Sequence, residues 1–173
     1  MNKTEIAQQI KETEEKLAAL RLELEKPEYP TLEDSKPGDK LKDGCIVVHK
    51  FEETRMALIA APKSTDRYCK WSKEFSDVFD ALQQEGFNRS QWFIPNVEQL
   101  MLAYMNCQDD FLPKNDINVK GEKKYNRYWS STEASVNSYR DIAVVVGYCD
   151  GIADLGISKE EFELVRAFSL VSY

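Results

Sequence analysis

Four cysteines and a single histidine are the residues of this chain whose types could do covalent chemistry. A thiol becomes a nucleophile when an imidazole or another base stands within hydrogen-bond reach of it. His49 lies between Val48 and Lys50 in the pattern of a strand, and no local context sets it beside Cys69 or Cys149. Cys45, Cys69, Cys107 and Cys149 are widely spaced with no CxxC pair, so neither a zinc site nor a thioredoxin-like centre is indicated. Buried free thiols are the expectation, and spacing alone would leave three full disulfide pairings open in an oxidising compartment. Asp109, Asp110, Asn115 and Asp116 offer hard oxygen donors of the kind calcium takes, but acids in a polar stretch read first as solvated side chains. No catalytic residue, metal or cofactor is assigned.

Binding chemistry is better represented. Tyr125, Tyr139, Arg140, Tyr148 and Asp150 lie in or beside turn-forming segments, where tyrosine rings can stack and Arg or Asp can form hydrogen bonds. They are the candidate ligand-binding residues, and for each the competing reading is ordinary packing of a loop.

These residues must be positioned by a chain of 173 residues, enough for one core and an appendage. Hydrophobic residues make up 42% and charged residues 31%, the balance of an ordinary folded protein. A formal charge of -7 without a sustained run of Lys and Arg argues against a nucleic-acid surface. The first residues lack the apolar stretch of a secretory signal, and no window has the length and apolarity of a membrane span, so synthesis in a cytoplasm without membrane insertion is expected.

Residues 1–27 read as a coiled-coil oligomerisation helix. Ile10, Leu17 and Leu24 recur at one heptad core position, and Ile6, Thr13 and Leu20 at the other, until Pro27 and Pro30 stop the helix. Dimer and trimer both remain open, with the trimer preferred. Residues 28–37 read as a Pro-containing linker, and residues 38–173 as one globular domain.

Within that domain, "CIVVHK" (45–50) and "RMALIAA" (55–61) suggest a hairpin about "FEET". A helix is expected over Trp71–Gln84, closed by Gly86. Another starts at Asn96, with Gln99 three residues on as its capping-box partner. A polar loop is expected from Cys107 to Asn126, followed by strands over 141–146, 152–157 and 164–171. The fold class is α+β, two helices on small antiparallel sheets with long loops.

The ordered motifs "GDKLKDGCIVV", "MALIAAP", "WFIPNVEQL", "YWSSTE", "VVVGYCDG" and "LVRAF" resemble the Lcl C-terminal-type family of bacterial and phage proteins over roughly residues 38–173. That resemblance implies a C-type-lectin-like domain, similar in shape to the formylglycine-generating enzyme fold. The chain departs from the family in having Phe93 where "WRLP" has its Arg and "VRAFSL" where a "VRCVR" form is common, and the calcium-lectin signatures "EPN" and "WND" are absent. Shared fold is not shared chemistry, and no site for an enzyme on this fold is visible.

In such a fold Trp129 of "YWSSTE" belongs in the core near Tyr128 and Trp92, with Ser130, Ser131 and Thr132 satisfying backbone groups. The functional expectation is a non-enzymatic homo-oligomer: a phage virion fibre, decoration or receptor-binding component that adheres to a cell-surface glycan or protein and contacts other virion proteins. Several copies on one coiled coil would raise avidity. The alternative is an intracellular protein-binding module, a phage factor that sequesters a host component.

Overall fold

A computed structural model describes residues 3–24, 29–111, 127–133, 142–148 and 153–173. The protein is α+β, with three α-helices and two sheets, one antiparallel and one mixed, among the described residues.

Helix α1 runs from Lys3 to Leu24, 22 residues of mostly good helix formers. Ile10, Leu17 and Leu20 stand exposed along it at 54%, 47% and 59%. Thr13, also exposed, turns its Oγ1 back to donate to the Gln9 carbonyl at 2.7 Å. Ile6 and Leu24 lie within the helix, but their side chains are outside the described set.

The first sheet has the order β1-β2-β8, with β1 at Ile46–Phe51, β2 at Met56–Ala60 and β8 at Phe168–Ser172, all antiparallel. The hairpin between β1 and β2 closes where sequence places it, with Arg55 at φ 51°. The second sheet has the order β3-β7-β4-β5-β6. Its strands are β3 at Arg67–Lys70, β4 at Arg127–Glu133, β5 at Ile142–Gly147, β6 at Ala153–Ser158 and β7 at Phe162–Val165. The β4–β7 contact is parallel, which makes this sheet mixed rather than antiparallel throughout.

Helices α2 (Ser76–Gln84) and α3 (Val97–Phe111) cover two cores. One gathers Val47, Ile59, Val78, Leu82, Trp129 and Val145; the other gathers Val48, Leu58, Leu100, Phe111, Tyr128 and Phe168. Because β1, β2 and β5 send alternate residues into different cores, they are apolar along most of their length, as strands covered on both faces are.

Helix α3 begins as the sequence says. The Asn96 side-chain oxygen accepts from the Gln99 amide at 2.9 Å, and the Gln99 side-chain oxygen accepts from the Asn96 amide at 2.9 Å, a reciprocal capping box. Helix α2 ends in a Schellman turn, in which Phe87 N–H donates to the Leu82 carbonyl at 2.9 Å and Gly86 N–H to the Gln83 carbonyl at 3.0 Å. Gly86 takes φ 88° there, which a side chain would oppose.

Three local expectations differ from the structure. Helix α2 starts at Ser76 rather than Trp71, because Phe75 adopts φ 41° and Trp71 is instead tied to β4 by its Nε1 donating to the Ser130 carbonyl at 2.9 Å. Helix α3 continues past Cys107 to Phe111 through a non-helical residue at Cys107, so Asp109 and Asp110 are helical rather than loop residues. The strand expected over 164–171 is two strands, β7 and β8, in different sheets, with Arg166 and Ala167 at the crossing.

The Pro-containing segment 28–37 touches the head from Leu32 onward. Lys50 Nζ donates to the carbonyls of Leu32, Glu33 and Ser35 at 3.3, 2.7 and 3.1 Å, and Leu32 packs on the first core.

Candidate functional site

The split between β7 and β8 is built around a buried charge. Arg166 is fully buried and pairs bidentately with Asp66, Nε to Oδ1 at 2.5 Å and Nη2 to Oδ2 at 2.6 Å. The Tyr128 hydroxyl donates to the same Asp66 Oδ2 at 2.8 Å, and Arg166 lies 4.2 Å from the centre of the Phe111 ring. Arg166 Nη1 has no hydrogen-bond partner among the described residues. Burial alone would lower the guanidinium's pKa; the Asp66 carboxylate and the tyrosine oxygens outweigh it and move the pKa up. Burial pushes the phenols of Tyr128 and Tyr148 up, so both remain neutral donors. The network joins the start of β3, β4, the end of α3 and the β7–β8 crossing, and its chemistry is that of a structural lock.

Tyr148 belongs to this interior. It is fully buried, its ring stacks on Phe111 with centroids 4.6 Å apart and 9° between planes, and its hydroxyl donates to the Leu100 carbonyl at 2.8 Å. The ring expected beside a ligand is therefore a core ring, because the β5 register carries it inward beyond Val146. Tyr125, Tyr139, Arg140 and Asp150 lie outside the described residues, as do Asn115, Asp116 and Cys149.

Trp129 is fully buried, and its Nε1 donates to the Cys69 carbonyl at 3.0 Å. Ser130 Oγ donates to the Val144 carbonyl at 2.9 Å, Ser131 N–H donates to the Pro95 carbonyl at 2.8 Å, and Thr132 Oγ1 accepts from the Val97 amide at 3.3 Å. The hydroxyl-rich stretch thus fastens β4 to β5 and to the start of α3, and it leaves the Trp129 indole N–H and the buried Ser130 hydroxyl both satisfied.

Among the described residues, burial outweighs any group that would activate the described thiols. Burial raises the pKa of Cys69 to about 11 and of Cys107 to about 12, and it raises Cys45 as well. His49 is half-buried and packs edge-on against Phe51 at 4.8 Å. Asp110 pairs with Lys40 at 3.4 Å. Among the described residues no three His, Cys, Asp or Glu side chains converge as metal ligands.

The surface feature with binding geometry lies on β3 and β7. Tyr68 is 65% exposed and Phe162 49% exposed, with ring centroids 5.9 Å apart and 30° between planes. The register sets Tyr68 opposite Leu164 and Lys70 opposite Phe162, so all four project from one face, and Lys70 Nζ stands 5.8 Å from the Phe162 ring centre. Lys70 pairs with Glu160 at 2.5 Å, while Arg127 pairs with Glu161 at 3.6 Å and also bonds the buried Glu163. The site is an aromatic pair with the Lys70–Glu160 ion pair beside it.

Sequence reading missed this site because "DRYCK" carries too few apolar residues to announce a strand. The sequence signal that could have found it was the alternation of Tyr68 and Lys70 with Arg67 and Cys69. No helix among the described residues is long and apolar enough to cross a membrane. No protein-family model matches the chain, and no curated protein matches it.

Proposed function

We propose that the protein is a non-enzymatic homo-oligomeric binding protein, in which α1 bundles the protomers and a C-type-lectin-like head recognises a cell-surface glycan or protein, as a phage fibre or decoration component does. The observation that carries this reading is the row of Ile10, Leu17 and Leu20, all exposed on a 22-residue helix. Residues 10, 17 and 20 follow the spacing of a heptad seam, and burying each large aliphatic side chain against another copy contributes ~1.5–3 kcal/mol. A helix of this length extends about 33 Å at ~1.5 Å per residue, enough for three heptads.

The C-type-lectin-like assignment is supported by two small sheets sharing a core with two helices and by Trp129 in that core. The non-enzymatic assignment is supported by thiols that burial keeps protonated. The experiment is mass measurement in solution and binding to intact host cells, comparing the full-length protein with a full-length Leu17→Asp/Leu20→Asp variant. An oligomer that binds cells and a monomeric variant that binds far more weakly are the expected results. A wild-type monomer overturns the reading. An oligomer that binds no cells and is absent from purified phage particles replaces it with an intracellular protein-binding role.

A further inference from the structure

The Tyr68–Phe162 pair has a use that the buried network does not. Two aromatic side chains at 65% and 49% exposure leave on the order of 200 Å² of ring surface in water, given the ~150–250 Å² that each can bury. Cross-strand stacking accounts for the faces the rings turn to each other, and it helps hold β3, an edge strand among the described strands. Beyond the Lys70 ammonium 5.8 Å from the Phe162 ring centre, their outer surfaces and the Tyr68 hydroxyl have no partner among the described residues.

The size of the patch selects among occupants. A stable protein interface takes about 800 Å² from each partner, several times what these rings offer. One or two sugar rings fit. Charge selects further: Lys70, beside the Phe162 ring, is paired with Glu160, so the acid and base nearest the rings are balanced. Such a rim presents hydrogen-bond donors and acceptors with little net field, which suits a ligand rich in hydroxyls and without charge of its own. Lys70 Nζ, 5.8 Å from the Phe162 ring centre, and the Glu160 carboxylate paired with it are a donor and an acceptor able to bond sugar hydroxyls.

We infer that Tyr68 and Phe162 form a stacking platform for an uncharged glycan, with Lys70 and Glu160 as its hydrogen-bonding rim. This rests on the binding-protein reading above and gives that reading a site and a ligand class. The platform lies apart from Tyr148, which the core consumes.

The test is saturation-transfer NMR on the full-length protein with cellotetraose and chitotetraose as probes and sialyllactose as the anionic control. Host-cell binding by wild type, Tyr68→Ala, Phe162→Ala and Tyr68→Phe is measured in parallel. Transfer to a neutral oligosaccharide, a roughly five- to tenfold weaker affinity in each alanine variant and near-wild-type affinity in Tyr68→Phe support the platform. Both alanine positions are exposed, and circular dichroism and melting of each variant check that the fold is kept.

No transfer to any neutral probe overturns the platform. So does neutral-sugar binding that survives both alanine changes. Cell binding that persists in both variants overturns the platform alone and leaves the oligomeric binding reading standing. Cell binding that both variants lose, but that periodate oxidation of the cell glycans leaves intact, overturns the sugar in favour of a protein ligand.

Discussion

Replacing Arg166 with Met keeps much of the side-chain volume and removes the charge, leaving the Asp66 carboxylate with the Tyr128 hydroxyl as its remaining partner in the network. Arg166 is fully buried and the Asp66 side chain is 10% exposed, so solvent does little to replace the lost guanidinium. Breaking a buried ion pair from one side costs ~3–5 kcal/mol, against a total folding stability of ~5–15 kcal/mol. At ~2–4 °C per kcal/mol for a chain of this length, the melting temperature should fall by ~6–20 °C.

The partner variant Asp66→Asn strands the guanidinium instead, and it should cost at least as much, because arginine cannot shed its charge. Differential scanning calorimetry reads both losses, and the double variant supplies the coupling. Stability losses under ~1 kcal/mol for either single variant, or losses that simply add in the double variant, would refute the account of Arg166 as the lock of the fold.

Two further outcomes follow from named contacts. Asn96→Ala removes one arm of the α3 capping box and should cost ~1 kcal/mol, a fall of about 2–4 °C by thermal denaturation, with β-sheet circular dichroism unchanged. Glu163 is buried beside Arg127, and burial outweighs that pairing to raise its pKa, so its folded form holds a proton more readily than its unfolded form. Its contribution is therefore present at low pH and lost as pH rises through the folded pKa. The melting temperature of Glu163→Gln relative to wild type should climb between pH ~4 and ~7, and a difference that moves the other way contradicts the burial argument.

Local chemistry wrote several parts of this fold openly. Asn96 and Gln99 cap α3 through groups three residues apart; Gly86 ends α2 because its own φ is the one a Schellman turn needs; and the β1–β2 hairpin closes within a few residues. Each is decided by atoms that are near one another in the chain, so periodicity and turn residues suffice to find it.

Other features depend on partners far away in sequence. "LVRAFSLV" reads as one strand, yet Arg166 must meet Asp66 100 residues earlier, and the chain leaves one sheet for the other at that point. Trp71 looks helical until Ser130 claims its indole N–H 59 residues on. Tyr148 resembles a turn tyrosine by neighbourhood and is a core ring because Phe111 and Leu100 wait for it. The candidate site follows the same rule: Tyr68 and Phe162 are 94 positions apart in the numbering and meet only through the β3–β7 register. The sequence by itself determined the α+β class, the start of α3, the end of α2 and the hairpin, where interactions are local. Tertiary structure alone decided which aromatics the core consumes and which it leaves on the surface, because burial is a property of the assembled sheets and not of any window of the chain.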